Sequence, residues 1–496
     1  VNLSIRTRNG IVSGGRANGA RHWLGVPYAQ AERLGLPVTP DAWSGERSAT
    51  RFGPECPQYF GSFASKSKID AREVDEHCLV LNVWRPDTED TTPKPVMVWI
   101  HGGAFMAGTG NIYDGAELAA HGDIVVVTIN YRLGILGFVN LDEQGPSNLG
   151  MRDQIAALEW VRDNIAAFGG DPSRVTLAGE SAGAIAISML MLCAQTMDRS
   201  PSAASAGAQE RPKPLFHAAI LQSGAISLPH SLATSRRIGR RYCAVLGLKS
   251  FDVNRIRALD LRTLLIAQAK VHALEPGSVP GAPWFDGDLF PASLNDALAM
   301  TTPKMPMLAG FNRDEIRTFE ILRGPPILPM TRTANETLIR EQLPTSEAER
   351  LLAAYSNTKA DNRMLATDLT FGMPTLNFAE RHSRHSPTWF YRFDYRHPLI
   401  GAAHGIDLAF VWKFEGIAGF IMRGGFFTAK RRALAERMRA HWAYFVKYGR
   451  PLEDWPDYSP ARRTVRLFDI ADATVDDPDA SRRMAWNGAD VSTTAR

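Results

Sequence analysis

The chain has 496 residues, 45% of them hydrophobic and 22% charged, with a formal net charge of only +4. That balance fits a globular protein able to bury a large core, and it excludes a disordered chain. The basic residues are scattered without long runs, which excludes a strongly basic nucleic-acid binder, and no apolar stretch approaches the roughly 20 residues of a membrane span.

The N-terminus, Val1 to Arg6, lacks the charged-then-apolar layout of a signal peptide and leads directly into strand-like sequence. The cytoplasm is therefore the default compartment, with secretion the alternative if a leader preceded Val1. The first 140 residues read as strands separated by turns. Val96-Met97-Val98-Trp99-Ile100 and Ile124 to Ile129 are β-branched runs expected in central strands buried on both faces. From Ser147 the pattern turns helical: Ile155, Leu158, Val161 and Ile165 recur at three- and four-residue steps, and Gly169-Gly170-Asp171-Pro172 stops the helix. A short strand, Val175 to Ala178, a turn and an apolar helical stretch from Ala184 to Leu192 follow. Asp198 to Pro214, rich in Ser, Ala, Arg and Pro, reads as a surface loop, and Ala219 to Gln222 as a further parallel strand. Residues 231–380 are mainly helical, broken by strand-like Met305 to Ala309. Thr388 to Phe393 reads as strand and Ala433 to Tyr448 as a long amphipathic helix. The alternation of strand and helix predicts a doubly wound, mostly parallel sheet, and the economical domain reading is one unit, 1–496, with a helical insertion around 231–380.

The turn between the strand Val175 to Ala178 and its helix is Gly179-Glu180-Ser181-Ala182-Gly183. Gly-x-Ser-x-Gly between a strand and a helix is a nucleophile elbow: Ser181 must occupy a strained turn, and side chains at 179 and 183 would strike neighbouring backbone. A serine hydroxyl also needs a base, a group that orients the base, and donors for the oxyanion. His101-Gly102-Gly103-Ala104-Phe105 directly follows a central strand, so the N–H groups of Gly103 and Ala104, with that of Ala182, form the candidate oxyanion hole. The hydrolase order Ser, acid, His places the base late. His404, in a small-residue loop after the last strong strand, is a candidate beside His382, His385, His397 and His441. For the acid, Glu315 and Asp314 both leave the predicted strand at Met305 to Ala309.

At this point the chain resembles the type-B carboxylesterase/lipase family, which includes cholinesterases, liver carboxylesterases and bacterial p-nitrobenzyl esterases. The resemblance rests on Trp23 to Ala29, Glu76 to Trp84, Met97 to Phe105, Asn130 to Gly134, Asn148 to Pro172, the elbow, Ala219 to Gly224, Gly310 to Glu315 and His404-Gly405. It implies an α/β-hydrolase fold, Glu315 rather than Asp314 as acid, and His404 as base. Glu180 and Ser223 resemble side chains that bond near the histidine and acid in that family. Ile316 stands where the family usually has Gly, and His77 stands where it usually has Asp. Between Cys56 and Cys78 there is no Trp of the kind that cholinesterases stack on quaternary ammonium. Tyr59, Phe60 and Phe63 are present instead, so a choline esterase is not expected.

The expected substrate is a small-molecule carboxylic ester, with an aryl carbamate or amide as the alternative, since the same serine chemistry serves both. A binding protein on the same fold is the rival from another class, disfavoured by the presence of every triad candidate. Trp284, Phe285, Phe319 and Phe371 are candidate walls of an apolar pocket. Cys56 and Cys78 would close a loop of roughly 20 residues if oxidised, worth about 3 kcal/mol. No spacing among the cysteines and histidines suggests a metal, and no cofactor or nucleic-acid partner is implied. Nothing in the sequence speaks to oligomeric state.

Overall fold

Alternation along the central strands explains how the sheet is covered on both faces. In the strand Lys94–Ile100, Val96, Val98 and Ile100 join one apolar cluster while Met97 and Trp99 join another. Val125, Val127 and Ile129 are divided in the same way from Val126. Side chains two residues apart share a face, so a continuous apolar run can feed two cores at once. The helix Leu149–Asn164 covers the first face through Ile155, Leu158 and Val161. On the second face lies the helix Ala429–Tyr448, through Leu434, Met438, Trp442 and Phe445.

The computed structural model describes residues 3–58, 74–197, 214–226, 228–322, 325–414, 416–426 and 428–492. All but Pro214 of the expected surface loop Asp198 to Pro214, and Tyr59, Phe60 and Phe63, lie outside them. Among the described residues the large sheet has 11 strands. Its middle, running from Thr464–Phe468 through Thr388–Phe393, Met307–Asn312, Ala218–Gln222, Gly170–Glu180 and Lys94–Ile100 to Val125–Ile129, is parallel. Both edges are antiparallel: Val80–Pro86 pairs against Val125–Ile129, and Ala473–Asp476 against Thr464–Phe468. The sheet is therefore mixed, with the expected parallel α/β centre. Ser4–Arg6, Ile11–Ser13 and Glu46–Ser48 form a separate small sheet.

The strand leading to the elbow is longer than its apolar run suggests. It begins at Gly170, because Gly169 at φ 81° turns the chain directly from helix to strand. The strands Thr464–Phe468 and Ala473–Asp476 and the helix Ala480–Trp486 carried no recognisable pattern in the sequence. Thr464–Phe468 is set by pairing with Thr388–Phe393, Ala473–Asp476 by pairing with Thr464–Phe468, and the helix is tied at its start by the ion pair of Arg482 with Asp479.

Lys94–Ile100 lies between Val125–Ile129 and Gly170–Glu180, so the chain leaves it to one side and later returns on the other. Such a switch opens a crevice at the C-terminal ends of the strands. Residues 101–105 and Ser181 both emerge there. Behind the crevice, the guanidinium of Arg132 donates to both oxygens of Asp153 at 2.8 and 2.6 Å, and the two side chains are 4% and 0% exposed. Arg132→Met is expected to lower stability by roughly 3–5 kcal/mol, because Asp153 would remain as a buried, unpaired charge. Urea and thermal unfolding would measure that loss; a variant as stable as the parent would contradict it.

Candidate active site

Ser181 sits at φ 56°, ψ −123°, between the strand Gly170–Glu180 and the helix Ala182–Leu190. A non-glycine residue rarely adopts this conformation, and the surrounding packing has to hold it there. Gly179 and Gly183 make the turn possible. A Cβ at 179 would stand 2.8 Å from the Ile100 carbonyl oxygen, and one at 183 would collide with that same oxygen. Ser181 N–H donates to the Gln222 carbonyl at 2.8 Å, tying the turn to the next strand.

The segment after Lys94–Ile100 is equally constrained. Gly103, Ala104 and Phe105 all have positive φ, at 112°, 56° and 56°. The Gly103 carbonyl accepts from Met106 and Ala107, and a Cβ at 103 would strike the Ala107 carbonyl. His101 is buried against Tyr131, ring centroids 4.5 Å apart, and Tyr131 donates its hydroxyl to the His101 carbonyl at 2.9 Å. Burial pushes the His101 pKa down to about 4, so this histidine is a neutral structural anchor. Among the described residues, no hydrogen bond is donated by the N–H groups of Gly103, Ala104 or Ala182. Three unpaired donors at one end of a crevice are what an anionic oxygen requires.

His404 and Glu315 come from the loops after Thr388–Phe393 and Met307–Asn312. His404 Nδ1 lies 2.6 Å from Glu315 Oε2. The other oxygen of Glu315 accepts from the Asn312 N–H at 2.6 Å. Asp314 is turned elsewhere: it accepts from the Ala402 N–H at 2.9 Å and supports the loop that carries the histidine. Of the other late histidines, His382 bonds Thr302 and the Met305 carbonyl, His397 bonds the Ile421 carbonyl, and His441 packs against Trp455. His385 also bonds Thr302.

On its other side, His404 Nε2 lies 3.0 Å from Glu180 Oε1, and no hydrogen bond joins it to Ser181 among the described residues. Burial opposes a positive charge on His404, but the carboxylates of Glu180 and Glu315 outweigh it and raise its pKa to about 9. Glu180 is raised to about 8, by burial first and then by the negative charges of Asp407 and Glu315, against the pull of His404. The imidazole thus stands between two carboxyl groups.

Asp407, three residues after His404, was not singled out in the sequence. It accepts from Gln222 Nε2 at 2.7 Å and from Asn312 Nδ2 at 3.0 Å, while Asn312 Nδ2 also reaches the Ala403 carbonyl. Trp442 in the helix Ala429–Tyr448 donates to Gln222 at 2.9 Å. These bonds lock the ends of several strands to the histidine loop. Ser223 was expected to bond in this region, but its buried hydroxyl meets no hydrogen-bond partner among the described residues. Asn312 makes the link to Glu315 instead.

Ser181, His404, Glu180, Gly103 and Ala104 open into one cavity of about 430 Å³. Phe319 and Phe371 line it, as expected, and both pack on His404 with ring centroids at 5.0 and 4.5 Å. Trp284 and Phe285 do not. Asn148 pins the backbone of Trp284 from one side and His230 from the other, and both aromatics are buried away from the cavity. The rest of the wall is aliphatic: Leu228, Ile321, Ile327, Leu328, Ile400 and Met422 among others. Scattered aliphatic residues from distant loops carry no sequence signal that separates a pocket from core.

The family model described as the carboxylesterase family matches residues 1–485. The chain belongs to the carboxylesterase family. It is a serine hydrolase acting on carboxylic ester bonds, on an α/β-hydrolase fold. It is 32% identical to the para-nitrobenzyl esterase of Bacillus subtilis over 97% of both chains. It is 30% identical to human cocaine esterase over 90% of this chain and 84% of that one. A solved para-nitrobenzyl esterase superposes with a TM-score of 0.86 at 32% identity, over 98% of this chain and 99% of the other. A carboxylesterase from Geobacillus stearothermophilus gives 0.78 at 33% identity, over 98% and 100%.

All four cysteines of this carboxylesterase are free and buried. Cys56 and Cys78 are separate thiols and form no disulfide, and the Cys56 sulfur accepts from the Leu133 N–H at 3.2 Å. Among the described residues, no cluster of side chains could hold a metal, and no helix is long and apolar enough to cross a membrane.

Proposed function

We propose that this carboxylesterase hydrolyses neutral, apolar esters by acyl transfer through Ser181, with His404 as general base and Glu315 as the group that orients it. In that reading His404 takes the proton as Ser181 attacks the carbonyl. Glu315 stabilises the imidazolium, and the N–H groups of Gly103, Ala104 and Ala182 receive the oxyanion. Water then repeats the sequence on the acyl-enzyme. The observation that carries the reading is that a strained Ser181, the segment Gly103–Ala104 with unpaired N–H donors, and His404, held at 2.6 Å by Glu315, all line one apolar cavity. Such hydrogen bonds often tighten only when substrate is bound, so the missing Ser181–His404 bond is compatible with it. Residues 1–496 would act as one domain, with the insertion around 231–380 supplying Phe319, Ile327 and Phe371 to the pocket.

An aliphatic and aromatic wall favours uncharged acyl or aryl groups and offers a cation little beyond Glu180. A fluorophosphonate probe should label Ser181 in the folded enzyme, and a series of p-nitrophenyl esters beside phenylcarbamates should show the esters cleaved faster. Labelling at another residue would overturn the assignment, and faster carbamate cleavage would overturn the ester preference.

The two carboxyl groups flanking His404 also predict a pH effect. The base must be neutral, so kcat/KM rises with pH as His404 loses its proton. Glu180→Gln removes a carboxylate facing Nε2, which lowers the His404 pKa and should move that rising limb to lower pH. A limb that stays in place or moves to higher pH would contradict the proposed base.

A further inference from the structure

Between the helices Lys359–Thr367 and Met373–Ser383, residues Asp368–Gly372 form a π-turn in which the Met373 N–H bonds the Asp368 carbonyl. A π-turn inserts one residue, so every later side chain is rotated by about 100° relative to an unbroken α-helix. Here the residue presented is Phe371, which packs against the His404 imidazole and stacks on Phe319 at 15° between planes. Thr367, the residue before the turn, accepts the N–H of Ile316, the residue after Glu315, at 3.4 Å. One short segment therefore touches the base, the loop of the acid and the pocket wall.

Asp368 opens this turn and is fully buried. Its Oδ2 accepts the Tyr355 hydroxyl at 2.6 Å and lies 3.3 Å from Arg482 Nη1. Tyr355 in turn accepts from Trp486 Nε1 at 2.7 Å. Arg482 and Trp486 both belong to the helix Ala480–Trp486, remote in sequence from every residue of the site. The other oxygen, Oδ1, has no hydrogen-bond partner among the described residues, and a Cβ at Gly372 would stand 3.0 Å from it. A carboxylate buried with one oxygen unpaired is costly, and a fold that needed only packing here would do as well with an apolar side chain. What the charge adds is a fixed anchor, held from the C-terminal helix, for a turn that would otherwise relax to α-helical register.

We propose that Asp368, held by Tyr355 and Arg482, is a positioning residue that sets the placement of Phe371 against His404 and thereby the acyl-chain preference of the esterase. It does not touch substrate; it acts through Phe371. The proposal rests on the assignment of Ser181 and His404 to the reaction. If the anchor is released, the π-turn shifts register, Phe371 leaves the imidazole face, and the space available to the acyl chain changes.

The test compares kcat and KM for p-nitrophenyl acetate, butyrate and hexanoate in Asp368→Asn, Arg482→Met and Tyr355→Phe, with Phe371→Leu as reference. Tyr355→Phe removes a single hydroxyl and keeps the comparison open should the charge variants fold poorly. The expected result is a change of about fivefold or more in the hexanoate-to-acetate ratio of kcat/KM, in the direction given by Phe371→Leu. A purely structural role would lower the melting temperature and leave that ratio within about twofold of the parent, and this result would overturn the proposal. Titration with a fluorophosphonate separates the two levels of inference. Variants with Ser181 fully labelled and an unchanged ratio overturn the anchor alone. Hydrolysis by a parent enzyme that the probe does not label at Ser181 overturns the site and the anchor with it.

Discussion

Ser181→Ala is expected to lower kcat by about 10⁶-fold while leaving the fold intact. The size follows from what the hydroxyl alone supplies. Without it, no acyl-enzyme forms, and His404 has only water to activate, with no covalent step to divide the barrier. The oxyanion donors and the cavity survive the change, so a residual rate of 10³- to 10⁴-fold over water is expected, not complete loss. Alanine at 181 keeps the strained φ of 56° that the strand–helix junction imposes, so the variant should be no more stable than the parent. The measurement is kcat on p-nitrophenyl butyrate, with far-UV circular dichroism and a melting curve to establish folding. A variant that retains more than about a hundredth of the parent rate would remove Ser181 from the mechanism.

Glu315→Gln should cost about 10⁴-fold in kcat with little effect on KM. The reason lies in the second oxygen of the carboxylate. Because the Asn312 N–H donates to Oε1, a glutamine at 315 must direct its carbonyl there and turn its amide toward His404. The amide donates, so Nδ1 becomes the acceptor and the imidazole proton moves to Nε2. That nitrogen is the one that must take the proton from Ser181, and it is then occupied. The same argument predicts that Asp314→Asn has a much smaller effect, because Asp314 bonds the Ala402 N–H and not the imidazole. Steady-state kinetics on the two variants would test the pair: a larger loss at 314 than at 315 would reverse the assignment of the acid.

The contrast between these neighbouring carboxylates shows what could be read from the residues and what could not. Asp314 and Glu315 leave the same strand end and their local spacing does not rank them; the family resemblance favours Glu315 without giving the physical reason. The fold supplies that reason: Glu315 turns to His404, and Asp314 to the loop that carries it. Trp284 and Phe319 make the same point about the pocket. Both are large aromatics in the helical insertion, and only their tertiary neighbours separate a residue pinned by Asn148 and His230 from one packed on the imidazole. Asp368 and Arg482 lie more than a hundred residues apart, and nothing local marks them as partners.

By itself the sequence determined the features whose physics is local. The parallel strands follow from β-branched runs, the long helices from spacing of three and four residues, and the elbow from glycines that alone fit a turn packed against the Ile100 carbonyl. The motifs around Gly103, Ser181 and His404 identified the family because each encodes a backbone conformation within a few residues. The tertiary structure decided everything that depends on long-range closure. It determined which carboxyl groups flank His404, which donors remain unpaired beside Ser181, and which side chains enclose the cavity. Those properties arise where loops from separate strands meet at the C-terminal edge of the sheet, and their energies depend on burial and partners that no local stretch of chain contains.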